Sequence, residues 1–220
     1  MPDRNFFTNK QKQIHPDDIY KNVPLEQIPW NVETPPVLLV ELVDSGIIKP
    51  CRAIDLGCGL GNYAIYLAGR DFDVTGVDFS PTAIKIASEN ARKKGVKCSF
   101  LVADVVDDLA EISQSWDFAY DWGLLHHIFP RKRQKYLENV HRILNPKGKY
   151  LSVSFSEKDT AFAGAGKYRK TNLGTILYFS SKNELKKLFE NYFTVIDLRT
   201  VEILGKFEPH IFNYVLAEKK

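Results

Sequence analysis

The 220-residue sequence predicts an α/β fold: a seven-stranded, mostly parallel sheet with helices on both faces. Two observations carry that class. Beyond residue 50, short apolar runs alternate with stretches of helical periodicity, the order that stacks parallel strands through crossover helices. Two of the runs also end in acids. Ala53-Ile54-Asp55-Leu56 enters the glycine turn Gly57-Cys58-Gly59-Leu60-Gly61-Asn62, and a second run ends at Asp78, seventeen residues beyond Gly61.

The elements follow in order. Strands fit residues 51–56, 73–77, 97–102, 116–121 and 149–155, and helices fit 60–70, 81–94, 131–144 and 181–191. Ser80 caps the second of these helices and Pro81 suits its first turn, a proline role that Pro130 repeats one helix later. Ser181 and Glu184 form a capping box, and Leu185, Leu188, Phe189 and Tyr192 give the last helix its apolar stripe. Strands at 193–201 and 212–218 close the sheet as a hairpin. Two segments stand outside this alternation. Residues 1–50 hold Phe6, Phe7, Tyr20 and Trp30, then Pro35-Pro36 opening an apolar helix to about Val43. The connection 156–180 is long for a compact domain and contains Gly164, Gly166 and Gly174 beside Lys167, Tyr168, Arg169 and Lys170. Both are expected to form a lid over the 51–220 domain, the whole making one structural domain.

Composition bounds the function. Hydrophobic content of 44% and a mean hydropathy of -0.25 are those of a soluble globular chain. A net charge of +3 gives no argument for nucleic acid, and the run Arg131-Lys132-Arg133-Gln134-Lys135 reads as the solvated face of a helix. No apolar run approaches the roughly 20 residues of a membrane span, and Met1-Pro2-Asp3-Arg4-Asn5 opens no signal-peptide pattern. Cys51, Cys58 and Cys98 lack C-x-x-C spacing, so neither zinc nor a disulfide framework is indicated. A cytoplasmic monomer or homodimer is expected.

Glycines at 57, 59 and 61 can take positive φ and admit a ligand to the bare backbone. An acid ending the second strand is placed for the two hydroxyls of a ribose, so the site expects a nucleoside. The spacing is G-x-G-x-G, not the G-x-G-x-x-G of dinucleotide sites. Asp55 beside the turn also suits a cationic ligand better than phosphates. A nicotinamide enzyme is the competing reading that this spacing disfavours.

With Asp55 before it and Asp78 after it, the turn resembles the first motif of the class I S-adenosylmethionine-dependent methyltransferases. Leu101-Val102-Ala103-Asp104-Val105, Trp116-Asp117-Phe118-Ala119-Tyr120-Asp121-Trp122-Gly123 and the run from Tyr136 to Lys149 are similar to later stretches of that family. The resemblance covers about residues 50–156. It implies a Rossmann-like sheet, S-adenosylmethionine as methyl donor, S-adenosylhomocysteine as product, and no metal. It places Asp78 at the ribose, Asp104 at the adenine amino group and the Val105 N–H at the ring. Asp55 orients the glycine turn and reaches the amino-acid part, which lies on Gly57 and Gly59. Trp30, Cys58, Asn62, Phe79, Ala103, Asp121 and Trp122 complete the implied cofactor set. For Cys58, a small filler in the turn is the competing account.

Asp121-Trp122-Gly123-Leu124-Leu125-His126-His127-Ile128 and Pro29-Trp30 resemble the small thiol, thiopurine and tellurite-type members, although many of those carry arginine where Trp122 stands. No Asn-Pro-Pro-Tyr or Asp-Pro-Pro-Tyr follows the fourth strand, which favours a small-molecule acceptor over a macromolecule. A thiol needs only a nearby positive group, for which Arg169 or Lys167 could serve. A phenol or hydroxyl needs a base within hydrogen-bond reach, and His126, His127 and His210 are of the right type. Tyr168 is a further candidate for touching substrate. For each histidine a packed core role is the competing account, and a cofactor-binding module without catalysis remains the alternative for the whole chain.

Overall fold

The structure is a computed structural model that describes residues 15–109, 112, 114–162 and 166–220. The expectations for Phe6, Phe7 and Gly164 lie outside the described residues. Seven strands form one sheet: β1 (Arg52–Leu56), β2 (Asp73–Asp78), β3 (Ser99–Val102), β4 (Trp116–Trp122), β5 (Leu144–Phe155), β8 (Phe193–Leu204) and β9 (Pro209–Lys219). Their order is β3-β2-β1-β4-β5-β9-β8. The neighbours from β3 to β5 pair in parallel, whereas β9 runs antiparallel to both β5 and β8. The hairpin insertion brings residues just before Phe212 to the edge where β5 ends, because Phe155 pairs with Phe212.

The helices are α1 (Pro16–Asn22), α2 (Val37–Asp44), α3 (Asn62–Ala68), α4 (Pro81–Lys94), α5 (Pro130–Ile143) and α6 (Lys182–Phe189). Ser80 caps α4 by accepting from the Ala83 N–H, and Ser181 with Glu184 forms the expected box on α6. The sheet has a core on each face. Leu39 and Leu42 of α2 and Ala64 and Leu67 of α3 pack with Phe118 and Tyr120. Tyr136, Leu137 and Val140 of α5 and Leu185 and Phe189 of α6 pack with Trp116, Ala119 and Tyr150 on the other side. From Phe118 onward the faces alternate with the period of two that a pleated strand imposes, while Trp116 joins the α5 side across a register irregularity between Trp116 and Phe118.

Three features differ from the sequence reading. β5 starts at Leu144 rather than 149, and a register shift between Trp116 and Phe118 absorbs the extra length. The connection 156–180 is not a bare loop, since β6 (Tyr168–Lys170) and β7 (Ile176–Tyr178) form a hairpin within it. Strands of three residues are too short to show an alternation. The N-terminal segment contains a helix, α1, that packs on α4 through buried Asp17, Ile19 and Tyr20. Among the described residues no helix is long and apolar enough to cross a membrane.

Candidate active site

The site is built at the C-terminal ends of β1, β2 and β4. Gly57, Gly59 and Gly61 all have positive φ, of 74°, 51° and 77°. The first is doubly constrained, because a Cβ there would lie 2.9 Å from Leu124 Cδ1. The turn is held down by the β2 carbonyl of Val77, which accepts from Gly57 N (2.8 Å) and Cys58 N (3.0 Å).

Asp78 is buried, and its two oxygens accept from Gly59 N (3.0 Å) and Ser80 N (2.9 Å). Each oxygen keeps a second lone pair for a ligand hydroxyl. Burial raises its pKa. Asp55 lies behind the turn with 3% of its surface exposed, and burial pushes its carboxyl up to about 8. Cys58 packs its sulfur toward Gly76, and burial pushes its thiol well up, as expected of a filler rather than a nucleophile.

At the end of β3, Ala103 N donates to the Asp78 carbonyl (3.0 Å) and links the two acidic strand ends. Asp104 accepts from Val106 N at 2.7 Å while its own N–H goes to Asp108 (2.8 Å), which orders the 104–108 turn. Val105 is buried beneath it, and Phe79 is 38% exposed with its ring edge-on to His15.

Residues 15–32 cover this edge. Asp17 accepts from Ser80 Oγ (2.5 Å) and Thr82 N (3.2 Å), and its hydrogen bond with Lys21 helps hold its carboxyl far below the usual range. The acid thus sits at the N-terminus of α4, where the helix dipole favours it. Tyr20 extends over the turn, with its hydroxyl 3.0 Å from where a Gly59 Cβ would stand. That hydroxyl accepts from Trp30 Nε1 at 2.9 Å. Trp30 then meets His127 edge-on, with 6.4 Å between ring centroids. Asn62 donates to Asn31 Oδ1 (2.9 Å) and to the Val32 carbonyl (3.1 Å). Lys206 in the β8–β9 turn reaches across to the carbonyls of Asn31, Ile28 and Leu25 at 3.1, 3.4 and 3.5 Å.

Asp121, Arg169 and His126 take places that the sequence did not suggest. Asp121 points away from the glycine turn, since side chains alternate along β4. It is fully buried on the α5 side, bonded to the Tyr136 (3.2 Å) and Tyr150 hydroxyls and to Leu125 N (3.3 Å). It therefore braces the turn carrying Leu124. Trp122, facing the other way, packs edge-on against Tyr63. Arg169 is folded inward over the Phe179 ring and donates to the carbonyls of Gly166, Asp159, Ala161 and Glu157, which occupies the guanidinium with loop backbone. His126 is buried against Phe155, and its Nδ1 accepts from Phe155 N at 3.3 Å. Desolvation drives its pKa far down, so it serves as a neutral packed ring. His127 remains exposed. Tyr168 stacks its edges with Phe129 and Tyr178 on the β6–β7 hairpin. Lys167 pairs with Glu157 (3.4 Å) and Glu184.

Sequence reasoning missed Tyr20 as a member of the glycine-turn environment, as well as Asp17, Lys206 and Asp159. Asp159 is 3% exposed, with its oxygens on Ala161 N (2.8 Å) and Ile211 N (2.5 Å).

Residues 53–148 match the model of a methyltransferase domain family. The chain is 29% identical to the tRNA N(3)-methylcytidine methyltransferase Mettl2 of Drosophila melanogaster over 71% of this chain and 53% of that protein. It is 26% identical to probable thiol methyltransferase 2 of Arabidopsis thaliana over 58% of this chain and 56% of that protein. The chain thus spans about half the length of these curated relatives. Among solved structures, one from work on the conversion of a disulfide bond into a thioacetal group during echinomycin biosynthesis shares the fold. It superposes with a TM-score of 0.79 at 24% identity, over 93% of this chain and 90% of that one. TehB from Haemophilus influenzae gives a TM-score of 0.68 at 21% identity, over 87% and 64%. Residues 53–148 thus carry the sequence pattern of a methyltransferase domain, and the sheet order is the fold shared with the solved structure. A thiol methyltransferase is thus among the proteins similar to this chain in sequence, and TehB among those that share its fold.

Proposed function

We propose that this chain transfers a methyl group from S-adenosylmethionine to a small-molecule acceptor. The carrying observation is the glycine turn at positive φ, with the buried Asp78 carboxylate clamped beside it by Gly59 and Ser80. The residues fit the donor: Asp78 for the ribose hydroxyls, Asp104 and the Val105 N–H for adenine, and Gly57 and Gly59 for the amino-acid part. Asp55 lies behind that part and offers the charge its ammonium needs. Phe79, Trp30 and Tyr20 wall the cleft. The bound donor supplies an activated sulfonium methyl group. The protein's task is then alignment and exclusion of water, worth up to roughly 7–11 kcal/mol.

Residues 15–32 and 156–180 act as the lid in this reading, tied down by Asp17, Asn62 and Lys206 on one side and by Arg169 on the other. A small acceptor is supported by the thiol methyltransferase relative and by the covered site; a tRNA-modifying relative makes RNA the competing acceptor. The sulfur reading loses one support, because the cations it relied on, Arg169 and Lys167, are engaged elsewhere. A cytoplasmic location accords with this role.

Isothermal titration with S-adenosylhomocysteine, followed by labelled methyl transfer to a panel of thiols, sulfide, phenols, amines and an unmodified tRNA, tests the proposal. Binding and turnover on a small molecule are expected. Turnover on tRNA alone would overturn the acceptor class, and no S-adenosylhomocysteine binding would overturn the function.

A further inference from the structure

The ring contacts lead away from the cofactor turn to a histidine that the cofactor site does not use. Trp30 meets His127, His127 meets His126 (4.8 Å between centroids), His126 packs on Phe155 (4.5 Å), and Phe155 meets His210 (5.2 Å). His210 lies at the start of β9, two residues before the partner of Phe155, so the antiparallel insertion returns it to the edge where the parallel strands end. The β8–β9 turn beside it is the one that Lys206 fastens to residues 25–31. His210 therefore sits between the lid and the strand ends.

Its two nitrogens face different surroundings. Nδ1 is buried, has no hydrogen-bond partner of good geometry, and lies 3.4 Å from Asp159 Oδ2. Asp159 is itself held in place by the N–H groups of Ala161 and Ile211. The side chain keeps 14% of its surface exposed, and that surface cannot be at Nδ1. On the Cδ2–Nε2 side stands Gly205, where a Cβ would come within 3.0 Å of Cδ2 and 3.6 Å of Nε2. A side chain at 205 would crowd that edge, and the glycine spares it. Among the described residues, His210 is the one histidine within ion-pair distance of a carboxylate. His126 has its Nδ1 engaged with the Phe155 N–H, and His127 has no carboxylate beside it.

Resting on the methyltransferase reading, we propose that His210 is the general base of this site, oriented by Asp159, and that the acceptor is a small protic oxygen nucleophile such as a phenol or enol. Asp159 fixes the tautomer with the proton on Nδ1 and leaves the Nε2 lone pair for the acceptor. Catalytic hydrogen bonds often tighten only when substrate is bound, which suits the 3.4 Å separation. In the step, the acceptor oxygen forms a bond to the donor methyl carbon. The methyl–sulfur bond breaks with its electron pair moving to sulfur, and the acceptor proton passes to Nε2. A thiol would not need this base, because it ionises near neutral pH without help. A phenol near pKa 10 does need one.

The test uses the full chain with labelled S-adenosylmethionine, a series of phenols (4-nitrophenol, phenol, 8-hydroxyquinoline) and a matched series of thiols. Wild type, His210→Gln, His210→Ala and Asp159→Asn are compared. S-adenosylhomocysteine affinity and the melting temperature report whether each variant is folded and loaded. The expected result is phenol turnover by wild type. In His210→Gln, kcat should fall at least 100-fold while acceptor KM and S-adenosylhomocysteine affinity stay within threefold, the scale of general-base contributions. Added imidazole should restore part of the activity of His210→Ala. Asp159→Asn should lower kcat without raising KM. The proposal is overturned if wild type methylates no phenol, if only thiols turn over, or if His210→Gln keeps its phenol kcat within threefold. Failure of wild type to bind S-adenosylhomocysteine would instead remove the methyltransferase reading beneath it.

Discussion

Replacing Asp55 with Asn should make the free protein more stable and the loaded protein weaker. Asp55 is 3% exposed, and its carboxyl is pushed from 3.8 in the reference state up to about 8 in the fold, chiefly by burial, with the charges of Asp78 and Asp121 adding to it. The folded state therefore holds a proton that the unfolded chain releases. Stability contributed by this group is highest below pH 4 and declines as pH rises from about 4 to about 8, because the native state binds more protons there. At pH 7 the gap between pH and the reference value is about 3 units, which at 1.36 kcal/mol per unit sets a ceiling of about 4 kcal/mol. Dielectric relaxation around the site lowers the realised value, and we expect Asp55→Asn to gain at least about 1 kcal/mol at pH 7. For a chain of this size that is a rise of roughly 2–4 °C in melting temperature. Denaturant melts of the free protein at pH 5, 6, 7 and 8 should show wild type losing stability relative to the variant by close to one proton's slope. The same substitution should weaken S-adenosylhomocysteine binding at least tenfold, because a neutral amide cannot match the ligand ammonium. Wild-type binding at pH 7 should also release up to roughly 0.9 proton, the protonated fraction for a pKa of about 8, measured by titration in buffers of different ionisation enthalpy. Parallel pH profiles for wild type and variant, or an unchanged affinity, would refute the reasoning.

Other substitutions test other parts of the site. Gly57→Ala forces a side chain into φ of 74° and against Leu124, so it should cost at least roughly 1–2 kcal/mol and abolish detectable S-adenosylhomocysteine binding, read by thermal shift with and without ligand. Tyr20→Phe keeps the ring and removes a hydroxyl that accepts from Trp30, so affinity for S-adenosylhomocysteine should fall threefold to tenfold with little change in the melting temperature of the free protein. Arg169→Met leaves the four loop carbonyls without their donor. With charged hydrogen bonds worth roughly 1.5–3 kcal/mol each, it should destabilise the 156–180 segment enough to speed its cleavage by dilute protease at least tenfold. Lys206→Met should hasten cleavage within residues 15–32, and added S-adenosylhomocysteine should slow it again; equal rates with and without ligand would remove the lid assignment.

What could be read in the sequence was what local chemistry determines. Ser80-Pro81 and Ser181-Glu184 announce helix starts because a cap and its partner are three residues apart or fewer. Asp55 and Asp78 were legible because each closes an apolar run beside a glycine or a cap. What the sequence did not show has a different origin. Asp121 and Trp122 are adjacent in one motif, but strand pleating sends them to opposite faces, and only the packing of Tyr136 and Tyr150 shows which face holds the acid. Arg169 resembled an exposed loop cation because its four acceptors are main-chain carbonyls, which carry no sequence signature. Tyr20, Lys206 and Asp159 were invisible as site elements because their partners lie far along the chain: Lys206 meets Leu25, Ile28 and Asn31, and Asp159 meets His210.

Those long-range contacts explain how the two ends of the described chain share one site. The parallel strands supply rigid ends for Asp55, Asp78 and Asp104, but a bare strand edge cannot exclude water. In the lid reading proposed above, exclusion comes from residues 15–32, which are pinned to α4 by Asp17 and to the β8–β9 turn by Lys206. The turn that holds the lid is the same turn that presents Gly205 and, four residues beyond Lys206, His210. Placing β9 between β5 and β8 is what makes this possible, since an antiparallel strand alone can begin at the edge where parallel strands end. Closure of the lid and placement of the histidine therefore depend on one structural element. A change that loosens the β8–β9 turn should lower cofactor affinity and acceptor turnover together, whereas a change at Asp78 should lower affinity alone when turnover is measured at saturating donor.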